Sequence, residues 1–342
     1  MTPVPTSDHS QALTVYEPSD PLERAMAWAA LAIGERRRRA VAACQDRDAS
    51  QLAELTAGYL LVRGRARTRT SEHTLKSYAQ AIRQLLRYWP HENLLHPAPD
   101  AADRYVAAMC APHKDQHAAQ DQDARYRPAT VAAHVAGARA LYRALRWARA
   151  TEADPFGDVR APHDPTPRHE RRQPYSEVEV EALLATAGRA DRALILLCAH
   201  AGLRISEALS AQWADLDLSR HRLRIAKAKG GKQRTVPLSA TLVRALEDIR
   251  GKDLLGPIIV GHDGRPYADP TVPRRHLRRL CAGAKVQYRG FHSLRHSAGT
   301  RLAKQTGDLQ LVAAHLGHTD VATAAIYAKW SDDTLSRAVQ DW

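Results

Sequence analysis

The chain has 342 residues, 44% hydrophobic and 25% charged. That balance excludes general disorder, collagen-like repeats and a disulfide scaffold, and the length favours two domains. Lysine and arginine number 50 against 37 acidic residues, a net charge of +13, so a polyanionic partner is expected, nucleic acid ahead of an acidic membrane surface.

The four cysteines, Cys44, Cys110, Cys198 and Cys281, lie at least 66 residues apart. No pair has metal-ligand or redox spacing, which fits a reducing, cytoplasmic interior. The N-terminus has no basic run ahead of an apolar one, so no secretory signal is expected. The most apolar stretch, Ala193–Ala201, is about half the length a bilayer demands and reads as a buried core helix.

In chain order, residues 1–50 carry six arginines and seven acidic residues, net −1. They hold an alanine-rich helical pattern over Leu22–Ile33. The run Arg36–Arg39 reads as a solvated helix face, and the role of this extension is left open. Residues 51–159 read as an all-helical domain, net +5 as far as Gly157. Ser71 is placed to cap a helix to Tyr88, with Leu75, Tyr78, Ile82, Leu85 and Leu86 on one side. A second helix starts near Thr130 and runs through Val131, Val135, Leu141, Tyr142 and Leu145. Between them, Ala111–Asp123 is a polar loop.

Residues 160–174 contain four prolines and form the expected linker, because proline fixes φ and removes a backbone donor. Residues 175–342 make up the second domain, net +8 counted from Pro174. It opens on a capping-box pattern, Ser176-x-x-Glu179. Two short β-like runs, Leu223–Ile225 and Thr235–Leu238, flank a lysine-rich tip with Gly230-Gly231 as the turn. The remainder is helical.

Four local patterns carry chemistry. Arg204 follows an apolar helix ending at Gly202, and Glu207 lies three residues on, near enough on a helix to orient the guanidinium. His292 and Arg295 share one helical turn and one face, a compact donor pair for an anion. Leu316-Gly317-His318 is a helix stop at glycine followed by histidine. Thr319 then caps a short helix carrying Ile326 and Tyr327.

Taken in order, with the lysine hairpin between the first and second, these patterns resemble the tyrosine recombinases, the lambda-integrase-like and Xer-like enzymes. The strings are AGLRISEAL (201–209), AKGGKQRTVPL (228–238), FHSLRHSAGTRLA (291–303) and AAHLGHTDVATAAIYAK (313–329). TSEHTLKSYAQAIRQLLRYW (70–89) and ADPFGDVRAP (153–162) are similar to the family's core-binding domain.

The resemblance covers about residues 50–342. It implies a mainly α fold with a small β-hairpin, an all-helical, SAM-like core-binding domain and a tyrosine recombinase catalytic domain. It implies site-specific cleavage and rejoining of double-stranded DNA through a 3′-phosphotyrosyl link, with no metal, ATP or other cofactor. Arg204 and Arg295 would clamp the scissile phosphate, since planar guanidinium forks match phosphate geometry. His292 would add a donor or take the tyrosine proton. His318 would be a second donor, neutral or cationic, and Tyr327 the nucleophile. Lys229 matches the family's general acid, while Lys227, Lys232 and Arg234 would contact DNA. Glu207 would hold Arg204.

Residues 330–342 resemble the C-terminal helix through which the family forms homo- or hetero-tetramers on DNA. The service expected is chromosome dimer resolution or integration of a mobile element. Competing readings are a type IB topoisomerase, a non-catalytic DNA-binding protein of the same fold and a metal-dependent transposase or nuclease.

Overall fold

A computed structural model describes residues 20–64, 67, 70–111, 126–166, 173–226, 233–251, 255–261, 263–318, 324, 326 and 327. The chain divides between Pro165 and Thr166 into two units. Both are mainly helical, and the second adds a small antiparallel sheet.

The first unit holds α1 (Pro21–Ala30), α2 (Ile33–Gln45), α3 (Ala49–Arg63), α4 (Glu72–Tyr88), α5 (Ala101–Cys110) and α6 (Pro128–Trp147). α4 begins where its sequence says, with the Ser71 hydroxyl accepting from the Thr74 amide at 3.2 Å. α6 starts two residues before Thr130 because Pro128 fits the first helical turn, where no backbone donor is needed. α4 and α6 approach closely at Gly137, where a Cβ would stand 2.4 Å from that of Ala81. Trp89, Tyr105, Tyr142 and Phe156 build an aromatic core from stacked and edge-on pairs.

Two expectations for the N-terminal residues need correction. The pattern over Leu22–Ile33 is not one helix: α1 stops at Ala30, Leu31 turns extended, and α2 starts at Ile33. Arg36–Arg39 is not a uniformly solvated face. Arg36 is buried and donates to the carbonyls of Trp28, Ala29 and Leu31 at 3.2, 3.0 and 2.8 Å. These are the orphan acceptors at the end of α1. Its guanidinium also lies 3.8 Å over the Trp147 ring. Arg38 and Arg39 remain outside, paired with Glu35. Residue 50 falls inside α3, which packs on α1 at Gly58.

The second unit runs α7 (Glu177–Thr186), α8 (Arg189–Ala199), α9 (Ile205–Ser210), β1 (Leu216–Asp217), β2 (Arg222–Ile225), β3 (Arg234–Pro237), α10 (Ala240–Glu247), α11 (Thr271–Gly283), α12 (Phe291–Thr306) and α13 (Leu309–Leu316). The Ser176–Glu179 capping box closes reciprocally at 2.7 and 3.2 Å. α8 is the central helix, buried from Ala193 to Ala199. The hairpin pairs β2 with β3 in the register Leu223↔Val236, and β1 adds a third strand on the outer edge of β2. Two residues are too short for an alternation signal, so β1 has no signature in the sequence. Among the described residues, no helix is long and apolar enough to cross a membrane.

Candidate active site

Gly202 ends the segment after α8 in the left-handed region, φ +64°. A Cβ there would meet a Leu316 methyl at 2.6 Å, so glycine serves both the turn and the approach of α13. The turn delivers Arg204 to the position before α9. Its amide donates to Glu207 Oε2 at 2.9 Å, and its Nη1 donates to Oε1 at 2.7 Å.

Glu207 is the hub. Arg234, from the start of β3, forks onto both carboxylate oxygens at 3.1 and 2.8 Å. Arg295, from the second turn of α12, brings Nη1 to 3.7 Å of Oε2. Three guanidiniums therefore surround one carboxylate that is 3% exposed, and the cluster keeps a net positive charge. Burial alone would raise the Glu207 pKa. Hydrogen bonds from Arg234 and from the Arg204 amide outweigh it and hold the carboxyl at about 2.

Arg295 also stitches three segments together. It donates to Gly202 O at 2.6 Å and to Leu316 O. Burial, then the neighbouring Arg204, lowers its pKa to about 10, which leaves it charged at neutral pH. Leu316 is the last residue of α13, and Gly317 ends that helix at φ +64°, as the helix stop predicts. His318 follows with its Nδ1 buried and unpaired among the described residues. Burial first, and then Arg295, Arg204 and Arg234, pull its pKa down to about 4. A shift in this direction favours the neutral imidazole at pH 7.

Tyr327 is almost fully buried, 1% exposed. Burial pushes its pKa up, with Arg295 pulling the other way. Its ring lies against Gly299 of α12, where a Cβ would stand 2.6 Å from Cζ. Its hydroxyl is 2.7 Å from His296 Nδ1. His292, one turn earlier, meets the His296 ring edge-on with centroids 4.6 Å apart.

The structure thus joins Arg204, Glu207 and Arg295 directly. His318 lies in the field of Arg295, Arg204 and Arg234, and Tyr327 in that of Arg295. Arg234, expected on DNA, is held by Glu207 with its side chain only 13% exposed. Lys227, Lys229, Lys232 and the helix expected over 330–342 lie outside the described residues. His296 joins the site without having been expected there, although its i+4 spacing from His292 was the available signal. The link from Arg234 to Glu207, 27 positions apart, was likewise not expected and has no local signature. Among the described residues, no cluster of three His, Cys, Asp or Glu is placed for a metal ion.

The order Arg204, Arg295, His318, Tyr327 on this scaffold points to a class, the tyrosine recombinases, and the similarities to known proteins support it. Residues 175–333 match the phage integrase family. The chain is 29% identical over 271 residues to tyrosine recombinase XerC of Xanthomonas axonopodis pv. citri (strain 306), covering 75% of this chain and 86% of that one. It is 26% identical to tyrosine recombinase XerD of Halalkalibacterium halodurans, over 75% of this chain and 87% of the relative. The fold is similar to a lambda integrase tetramer bound to a Holliday junction, TM-score 0.63 at 17% identity, over 84% of this chain and 76% of that one. It is also similar to XerH recombinase bound to a palindromic difH substrate, TM-score 0.58 at 16% identity, over 96% and 98%.

Proposed function

We propose that this recombinase cuts and rejoins duplex DNA at a specific site through a 3′-phosphotyrosyl intermediate on Tyr327. The observation that carries the reading is the Glu207 hub: three guanidiniums on one buried carboxylate, a net positive pocket, with the Tyr327 hydroxyl in the field of Arg295. Phosphoryl transfer asks mainly for positioning and for charge stabilisation on the non-bridging oxygens. Arg204 and Arg295 supply both, and neutral His318 adds a hydrogen-bond donor. His292, on the exposed start of α12, adds a donor at the pocket's edge.

Tyr327 Oη attacks phosphorus while the bond to the 5′-oxygen breaks. Lys229 gives that oxygen its proton. The covalent link conserves the phosphodiester's energy, so the reverse attack by the 5′-hydroxyl needs no ATP. Two of the structural relatives are named as DNA complexes, one of them a tetramer. By extension, this chain acts as a tetramer on its site, joined through residues 330–342. Sequencing the DNA recovered with it from cells distinguishes chromosome dimer resolution from movement of a mobile element.

The test is a nicked suicide duplex. The wild type is expected to form a covalent protein–DNA adduct and Tyr327→Phe none, with Arg204→Ala and Arg295→Ala severely slowed. An adduct in Tyr327→Phe equal to that of the wild type would overturn the assignment. Relaxation of supercoils without site preference would point to the topoisomerase reading instead.

A further inference from the structure

We infer that His296 is the base that takes the Tyr327 hydroxyl proton as the oxygen attacks phosphorus, and the acid that returns it on rejoining. The inference rests on Tyr327 being the nucleophile and assigns the partner that this role demands.

One face of α12 carries the groups involved. His292, Arg295, His296 and Gly299 fall at i, i+3, i+4 and i+7 of α12, spacings that share a side. Gly299 leaves the space in which the phenol ring sits. One turn away, His296 Nδ1 meets the hydroxyl at 2.7 Å, within the 2.6–3.2 Å reach a proton acceptor needs. Arg295, the neighbouring residue, is fixed by the carbonyls of Gly202 and Leu316. The same helix therefore holds the phosphate clamp, the seat of the ring and the partner of the hydroxyl. α12 is itself anchored, since Ser297 Oγ donates to Tyr175 O at 2.7 Å. The distance from base to clamp is thus built into a rigid element, the arrangement proton transfer in a transition state requires.

His292, which the resemblance offers for this proton, stands on the exposed start of α12 with its ring against that of His296, and it is His296 whose Nδ1 meets the hydroxyl. His318 is poorly suited to the task. Protonating His318 would add a cation beside Arg204, Arg234 and Arg295, the groups that already oppose its charge. A histidine so placed gives a hydrogen bond rather than accepting a proton. The phenol cannot ionise in advance either, because burial disfavours its anion. The proton must leave as the Oη–P bond forms.

The step balances. The Oη–H bond breaks and the proton moves to Nδ1 of a His296 that carries its resting proton on Nε2. The Oη–P bond forms, the P–O5′ bond breaks, and the 5′-oxygen takes its proton from the general acid. On rejoining, the 5′-hydroxyl attacks phosphorus and Tyr327 Oη leaves with the proton held by His296.

Single-turnover cleavage of the suicide duplex tests this, with His296→Ala, His296→Asn and His296→Gly beside Tyr327→Phe. Asparagine keeps a hydrogen-bonding group near the Nδ1 position but takes no proton at neutral pH. Both His296→Ala and His296→Asn are expected to cleave about 10²–10⁴-fold more slowly, with duplex affinity and melting temperature near wild type. A 5′-bridging phosphorothiolate, whose leaving group needs no acid, should not restore them. Free imidazole should revive His296→Gly, and more basic imidazoles should revive it further. Wild-type rates in His296→Asn would mean that the residue only orients the hydroxyl. Faster cleavage in His296→Ala would mean a latch that holds the tyrosine in reserve. Either result, or failure of imidazole to revive His296→Gly, overturns the inference. An adduct in Tyr327→Phe would instead overturn the nucleophile beneath it.

Discussion

A buried carboxylate that gathers three guanidiniums sets the character of this pocket. Glu207 is almost wholly excluded from solvent, and an isolated charge there would be costly. Arg204 and Arg234 satisfy both of its oxygens, and Arg295 stands behind them. The carboxyl pKa falls from the usual 4.5 to about 2. A depressed carboxylate contributes stability that is fully present above pH 4.5 and fades as pH falls toward 2. Glu207→Gln removes the charge and leaves three cations facing one another. Breaking a buried pair in this way costs about 3–5 kcal/mol. Urea denaturation at pH 7 should show a loss of that order. The gap between variant and wild type should then narrow as pH falls from 4.5 toward 2, where the wild-type carboxyl also becomes neutral. A gap independent of pH would show that the loss comes from packing and not from charge.

At the scale of elements, what was legible was local. The Ser176–Glu179 box, the Ser71 cap and the glycine stop at Gly317 each depend on residues within four positions of one another. The sequence displays such features directly. The pairing of Glu207 with Arg204 was readable for the same reason, at a spacing of three. Arg234 was not, because its partner lies across the fold. Arg36 is the clearest case. Four arginines in a row read as a solvated face until Trp147, over 100 residues later, is placed beneath one of them. That side chain also caps α1 by donating to three carbonyls at its end. Arg36→Met should therefore destabilise the protein by about 1–3 kcal/mol in chemical denaturation, the cost of leaving buried acceptors without a donor. Arg38→Met, on the exposed side, should stay within about 0.5 kcal/mol of wild type. Equal effects would mean that the run acts as one solvated stripe after all.

For the molecule as a whole, the net charge of +13 acquires an address. Residues 1–50 are close to neutral, and the excess sits on 51–157 and 174–342. Within the second unit, α11 buries Pro273, Leu277 and Cys281 and exposes Arg274, Arg275, Arg278 and Arg279. A cationic stripe on an otherwise well-packed helix contributes little to folding, but each phosphate it neutralises releases a counterion. Duplex binding by Tyr327→Phe, which avoids the covalent trap, should therefore weaken about 10³–10⁵-fold between 50 and 200 mM salt if 6–10 phosphates are engaged. Replacing the four arginines of α11 with glutamine should flatten the slope of log affinity against log salt. The change should be about 0.9 for each phosphate no longer neutralised, roughly 3–4 in all if every arginine touches the backbone. The weakening should be uniform across DNA sequences where the arginines meet phosphate and site-dependent where they reach bases. An unchanged slope would place α11 away from the DNA, and the excess charge of the second unit would then have to act through the hairpin lysines and the pocket around Glu207.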